Sequence, residues 1–331
     1  MSLLINGKIQ ENWFEKVSDE GSYIRKDSQF RNWITQDGRA GPSGDAGFAA
    51  EKDRYHLYVS YACPWAQRTL IFRKLKKLED MISVSVVHPF MPEHGWNFKT
   101  DFPGATGDTL YGYADVHELY TQADADHTGI VTVPVLWDKK FKTIVNNESS
   151  EIIRMLNSAF NHLIEDKNAS ELDFYPEEKR TAIDTINEHI YENINNGVYR
   201  TGFATTQASY EDGYHHLFKA LDDIEEILAQ QRYLTGNTIT EADWRLFVTL
   251  IRFDAVYVGH FKCNKKRIID YPNLFNYMLE LYQWPGIKET TFMDHIKHHY
   301  YASHEMINPT RIVPLGPEQN LDQVHNRGEL A

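Results

Sequence analysis

The run Arg54-Tyr55-His56-Leu57-Tyr58-Val59-Ser60 has high strand propensity and stops at Tyr61-Ala62-Cys63-Pro64-Trp65-Ala66, a junction that constrains the chain more than any other stretch. Proline is tolerated in the first turn of a helix, where its missing N–H costs nothing, and Ile71, Leu75 and Leu78 follow at helical spacing. This predicts a strand entering a helix through Cys63. At a helix start the unpaired backbone N–H groups and the helix dipole favour negative charge, so a thiolate there is stabilised, with a pKa of roughly 3.5–7.5 in place of about 8.5. The alternative is a small buried hydrophobe.

A strand, Cys-Pro and a helix in that order is the arrangement of thioredoxin-like redox sites. Ala66 holds the place of the second cysteine of a Cys-x-x-Cys pair. An enzyme with this junction must draw on an external thiol to complete a redox cycle.

Further strands are expected at Ile82-Ser83-Val84-Ser85-Val86-Val87, then at Val131-Thr132-Val133-Pro134-Val135-Leu136-Trp137 and Phe141-Lys142-Thr143-Ile144-Val145, the last two joined as a hairpin by Asp138-Lys139-Lys140. After Glu148-Ser149, the residues Ile152, Ile153, Leu156, Phe160 and Leu163 share one helical face. Between 88 and 126 the pattern dissolves apart from a short helical candidate at 116–123; so long an insertion is functional or loosely ordered. Beyond a polar linker at 166–176, helical patterns dominate: 183–194, 214–228, 242–253 and 274–282. Thr240-Glu241-Ala242-Asp243 resembles a capping box.

The expected architecture is therefore an α/β thioredoxin-like N-terminal domain followed by an all-α C-terminal domain. Residues 1–45, with Trp13, Phe14, Phe30 and Trp33, form an extension packing on the core; 46–165 form the thioredoxin-like domain; 176–331 form the helical domain, ending in a tail with Pro309, Pro314 and Pro317. A chain of 331 residues is long enough for two hydrophobic cores.

Proline breaks a strand ladder, so Pro134 calls for an edge position or a cis bond. In a thioredoxin-like sheet a cis proline leaves the backbone of Val133 open to an extended peptide ligand; an edge proline without a ligand is the alternative. Glu148-Ser149 at a helix start suits a ligand carboxylate and amine, or ordinary capping. His295, His298 and His299 lack an acidic signature such as His-Glu-x-x-His, so a solvated face is expected and no metal site. Cys263, flanked by Lys262, Lys265 and Lys266, is read as structural or semi-exposed. The net charge of −13, with no Lys/Arg cluster to offset it, argues against nucleic acid. No apolar stretch is of membrane-spanning length and no signal-peptide core opens the chain, so a soluble, cytoplasmic protein with no membrane partner is expected.

Taken together, several motifs resemble the glutathione transferases, and among them the Xi class, the S-glutathionyl-hydroquinone reductases. They are Phe30-Arg31-Asn32-Trp33, Cys63-Pro64-Trp65-Ala66, Phe102-Pro103-Gly104-Ala105-Thr106-Gly107-Asp108, Val131 to Asp138, Asn147-Glu148-Ser149, Asn195-Asn196-Gly197-Val198-Tyr199 and Tyr233-Leu234-Thr235-Gly236-Asn237. The resemblance implies a homodimer that uses glutathione as co-substrate and reduces glutathionyl-hydroquinones, without a metal. It implies Cys63 as nucleophile, Trp96, Val133, Pro134, Glu148 and Ser149 as glutathione contacts, and Tyr199, Tyr257 and Tyr300 as the lining of the quinol pocket, with Tyr199 and Tyr300 assisting proton transfer. One departure stands out: where the family commonly has arginine in Gly-Arg-x-Thr-Val-Pro, this chain has Ile130. A broader thioltransferase or dehydroascorbate reductase activity, and a non-catalytic binding module on the same fold, are the alternatives.

Overall fold

A computed structural model describes residues 2–10 and 18–330; Trp13 and Phe14 lie outside the described residues. The chain forms two compact units, each discontinuous in sequence. The first gathers the described residues of 1–14 with 26–173 and 290–299; the second takes those of 15–25, 174–289 and 300–331.

In the first unit the chain runs through β1 (Ser2–Ile5), β2 (Lys8–Gln10), β3 (Trp33–Thr35), β4 (Gly47–Ala49), β5 (Tyr55–Val59), α1 (Pro64–Leu75) and β6 (Ile82–Val86). It continues through α2 (His117–Ala123), β7 (Gly129–Val131), β8 (Val135–Asp138), β9 (Thr143–Asn146), α3 (Ser149–Ser158) and α4 (Lys167–Glu171). The central sheet has the order β6-β5-β8-β9. All five residues of β5 are buried, as expected of a strand covered on both faces. It pairs parallel with β6 and antiparallel with β8, which in turn pairs antiparallel with β9. This is the mixed sheet of the thioredoxin-like expectation.

Three sequence expectations need correction. The run Val131 to Trp137 is not one strand. It divides at the cis Val133–Pro134 peptide, so that β7 pairs with β1 in a separate sheet of order β2-β1-β7 while β8 joins the central sheet. The hairpin is therefore β8–β9 alone. Second, the 88–126 insertion is firmly tied. Thr106 exchanges bonds with Val86, its N–H donating to the Val86 carbonyl (3.1 Å) and its Oγ accepting from the Val86 N–H (2.8 Å). Asp108 accepts from the Tyr58 hydroxyl and from the N–H groups of Leu110, Tyr111 and Tyr113. Third, the polar 166–176 segment holds α4, capped by Asp166.

The N-terminal extension is locked to the site-bearing part of this unit. Arg31 forms a two-pronged ion pair with Glu151 on α3 (2.7 and 2.5 Å), and Ser43 and Asn146 donate to the same carboxylate. Burial works against ionisation of Glu151, but Arg31, Ser43 and Asn146 outweigh it and hold the carboxyl below its usual range.

The second unit is helical: α5 (Arg180–Ile190), α6 (Gly197–Gly202), α7 (Gln207–Gln230), α8 (Glu241–Arg252) and α9 (Pro272–Gln283). The capping box forms at the start of α8, with the Thr240 N–H donating to Asp243 at 2.7 Å. From the tail, buried Arg327 donates to the carbonyls of Leu228, Gln231 and Arg232, meeting the negative end of the α7 dipole. α10 (Met293–Ser303) contributes its residues up to 299 to the first unit and those from 300 to the second.

Candidate active site

Cys63 is the N-cap of α1, with Pro64 at the first helical position. The turn leading into it is closed by the Cys63 N–H donating to the Ser60 carbonyl (3.2 Å) and the Ala62 N–H to the Ser60 hydroxyl (3.2 Å). Its Sγ lies 3.4 Å from the carbonyl oxygen of Val133. Thus the fold brings the cysteine and the Val133–Pro134 peptide, 70 residues apart, into contact. Two residues before the cysteine, the half-buried Tyr61 stacks face to face on Phe292, 3.6 Å between ring centres.

A polar chain connects this point to the start of α3. The Tyr120 hydroxyl donates to the Thr132 carbonyl (2.9 Å) and accepts from the Asn147 amide (3.1 Å). The next residue, Glu148, is the N-cap of α3. One of its oxygens accepts from the Ser150 N–H and hydroxyl, the other from the Ser28 hydroxyl. Ser149, the first residue of α3, is buried and accepts from Arg68 of α1 at 3.4 Å. So Cys63, Val133, Pro134, Glu148 and Ser149 belong to one connected region of the first unit. Two helix N-termini open onto it, and each favours an anion.

Trp96 is held separately, in the insertion. It is buried and stacked on His299 (4.7 Å, 24°). The turn before it needs glycine: Gly95 has φ +96°, and a Cβ there would come 2.6 Å from the Ser2 hydroxyl. Ile130 sits on β7 opposite Leu3 of β1.

In the second unit Tyr199, Tyr257 and Tyr300 converge. Tyr300 shares a short hydrogen bond with Tyr199 (2.6 Å) and a longer one with Tyr257 (3.0 Å). Burial pushes the Tyr300 phenol well above its usual range, and the other two tyrosines add to this. Tyr300 therefore stays protonated at neutral pH, and the three hydroxyls are linked through it as donors and acceptors. The Arg25 guanidinium lies 5.2 Å from the centre of the Tyr199 ring and donates to Asn196.

The histidines are not a solvated face. His295 and His299 are buried and donate to the carbonyls of Pro103 (2.7 Å) and Pro89 (3.0 Å), while His298 packs on Phe102. They fasten the insertion, and burial depresses the His295 pKa. Their carbonyl partners lie 192 and 210 residues earlier, which no local pattern announces. Among the described residues, no group of three or more His, Cys, Asp or Glu could hold a metal ion, and no helix is long and apolar enough to cross a membrane. Ser28, Tyr120 and Arg68 were also missed from sequence. For Arg68 a signal existed: it is the one charged residue in Ala66-Gln67-Arg68-Thr69-Leu70-Ile71-Phe72, all of which are buried.

The two cysteines contrast. Cys63 retains 8 % exposure, whereas Cys263 has none, and burial pushes the Cys263 thiol far up. Brief treatment of the folded protein with iodoacetamide at pH 8 is expected to alkylate Cys63 and spare Cys263. Peptide mapping by mass spectrometry checks this; equal labelling would contradict it.

Residues 62–159 match the family described as Glutathione S-transferase, N-terminal domain, and residues 207–280 match Glutathione S-transferase, C-terminal domain. The chain is 56% identical over 327 residues to glutathionyl-hydroquinone reductase YqjG of Escherichia coli (strain K12), with 99% of this chain and 98% of that protein covered. The glutathione-bound structure of YqjG matches with a TM-score of 0.90 at 54% identity, over 98% of this chain and 99% of that one. A Xi-class glutathione transferase from Natrialba magadii matches with a TM-score of 0.89 at 46% identity, over 100% and 98%. Fold, cysteine-bearing helix start and near full-length identity agree: the chain belongs to the glutathione transferases, in their Xi class, the family of the S-glutathionyl-hydroquinone reductases.

Proposed function

We propose that this chain reduces S-glutathionyl-hydroquinones to hydroquinones, spending one glutathione and releasing glutathione disulfide. The observation that carries this is Cys63 as the N-cap of α1, beside the cis Val133–Pro134 peptide and with Ala66 where a second cysteine would stand. With no resolving cysteine in the motif, the thiol that regenerates it comes from solution. YqjG, 56% identical to this chain, is itself a glutathionyl-hydroquinone reductase.

The Cys63 thiolate attacks the sulfur of the glutathionyl group, forming the Cys63–glutathione disulfide. The bond between that sulfur and the ring carbon breaks, its electron pair stays with the ring, and a proton takes the place of sulfur. A second glutathione, as thiolate, attacks the mixed disulfide, releases glutathione disulfide and returns Cys63 as thiolate. The proton that this glutathione gives up balances the one taken by the ring. Val133 and Pro134 offer backbone to the glutathione peptide, Trp96 lies along it, and Glu148 and Ser149 receive its γ-glutamyl end at the start of α3. Tyr199 and Tyr300, with Tyr257, hydrogen-bond the quinol oxygens and help supply the ring proton.

The test is turnover of a glutathionyl-hydroquinone with glutathione, following both products. Hydroquinone and glutathione disulfide should form in equal amounts. Failure to release hydroquinone, with dehydroascorbate reduced efficiently, would favour the thioltransferase alternative.

Ile130 withholds one cation from the glutathione carboxylates. Ile130→Arg is expected to lower the KM for glutathione about fivefold, the worth of roughly 1 kcal/mol for a half-exposed ion pair. An unchanged KM would show that no carboxylate comes within reach of this position.

A further inference from the structure

Arg68 is 1 % exposed on α1, five residues beyond Cys63. A buried arginine is costly unless its charge is used, and two contacts show where this one is directed. Its guanidinium lies 4.5 Å from the centre of the Trp65 ring, and its Nη1 is 3.4 Å from Ser149 Oγ. Side chains on a helix lean toward its N-terminus. The stacking on Trp65, three residues earlier, accordingly places the charge back toward the helix start that carries Cys63. The bond to Ser149 takes it to the start of α3 as well.

We propose that Arg68 is a positioning residue for glutathione, one that orients the Ser149 hydroxyl and supplies a fixed positive charge to the two neighbouring helix starts. This rests on the function proposed above. A guanidinium only donates, so Ser149 Oγ must be the acceptor from Arg68. The single hydroxyl proton of Ser149 is then left to point at another acceptor, and a γ-glutamyl carboxylate at the start of α3 is an acceptor of the right charge. The buried cation strengthens that bond by polarising the hydroxyl. Its stacking on Trp65 also sets the charge toward the end of α1 that carries Cys63, where a cation favours the thiolate. Lysine would keep the charge but lose the planar fork that reaches Ser149 while stacking on Trp65.

Arg68→Met, Arg68→Lys, Ser149→Ala and the Arg68→Met/Ser149→Ala pair test this by titration calorimetry with glutathione and by steady-state kinetics. Arg68→Met is expected to weaken glutathione binding and raise its KM about tenfold, with kcat at saturating glutathione falling less than about threefold. Arg68→Lys should recover part of that loss. In the pair, Ser149→Ala should add almost nothing to Arg68→Met, because one interaction has been removed twice. The pH at which Cys63 reaches half its maximal alkylation rate should rise in Arg68→Met and stay close to wild type in Arg68→Lys. A purely structural arginine would lower expression and kcat together and leave the Ser149 effect additive; that result overturns the proposal. If Arg68→Met does not fold, Arg68→Lys alone decides: binding equal to wild type rejects the role of the fork. Wild-type protein that fails to bind glutathione would reject the proposed function instead, so the two failures are distinguishable.

Discussion

Cys63→Ser is expected to cut turnover of a glutathionyl-hydroquinone by about three orders of magnitude or more, the usual scale for losing a nucleophile. Serine is isosteric and is itself a preferred N-cap, so α1 and the contact with Val133 should survive. The loss is then chemical. A hydroxyl at this helix start remains protonated near neutrality and cannot form a disulfide with the glutathionyl sulfur, so the first step has no nucleophile. Three measurements separate this from misfolding: the thermal midpoint should be unchanged within a few degrees, glutathione should still bind, and the glutathione adduct that wild type forms with glutathione disulfide should disappear. Substantial turnover in the variant would refute the mechanism, since no other cysteine of the chain could replace Cys63; Cys263 is buried in the second unit with its thiol held protonated.

The largest stability effect is expected at Asp138, the last residue of β8. One carboxylate oxygen accepts from Arg54 twice (3.0 and 2.5 Å); the other accepts from the N–H groups of Lys140 (2.7 Å) and Phe141 (3.3 Å). Asp138 is fully buried and Arg54 nearly so. Asp138→Ala removes the partner of a buried guanidinium and orphans two turn donors, which costs about 3–5 kcal/mol. Glu51 and the Ala49 carbonyl, which accept from the remaining Nη1 of Arg54 at 2.7 and 3.4 Å, compensate only in part. Asp138→Asn should cost less than Asp138→Ala, because a carbonyl oxygen can still serve the turn. Urea unfolding followed by fluorescence and circular dichroism reads both. A loss below about 1 kcal/mol for Asp138→Ala would mean that water reaches Arg54 readily.

Asp138 also shows what the sequence could convey. Asp138-Lys139-Lys140 was legible as a turn, because flanking strand patterns and a polar triplet are local signals. Its ion pair with Arg54 was not, being set by the register that places Tyr55 opposite Asp138. The same division holds at the site. Cys63 at a helix start, α3 after Glu148 and the cap at Thr240 all follow from neighbours in sequence. The separation of β7 from β8 depends on a partner strand at the N-terminus, in a segment whose four-residue β1 gave no clear pattern. The roles proposed for Trp96 and the three tyrosines rest on the family resemblance, since an aromatic in a core and one in a pocket look alike in sequence.

The histidines that fasten the insertion set a timetable for synthesis. His295 meets Pro103 across 192 residues, and His299 meets Pro89 across 210. At roughly 5–20 residues per second, a ribosome needs about ten to forty seconds to bridge the shorter gap. Throughout that interval the nascent first unit holds Trp96 and Phe102 without the rings that cover them. Vectorial folding of this unit therefore cannot finish when its sheet is complete, and a fragment ending at residue 173 would emerge with its insertion unclasped and prone to aggregate. Supplying a peptide spanning 290–303 to such a fragment should improve its solubility, and the same peptide with both His295 and His299 replaced by alanine should not.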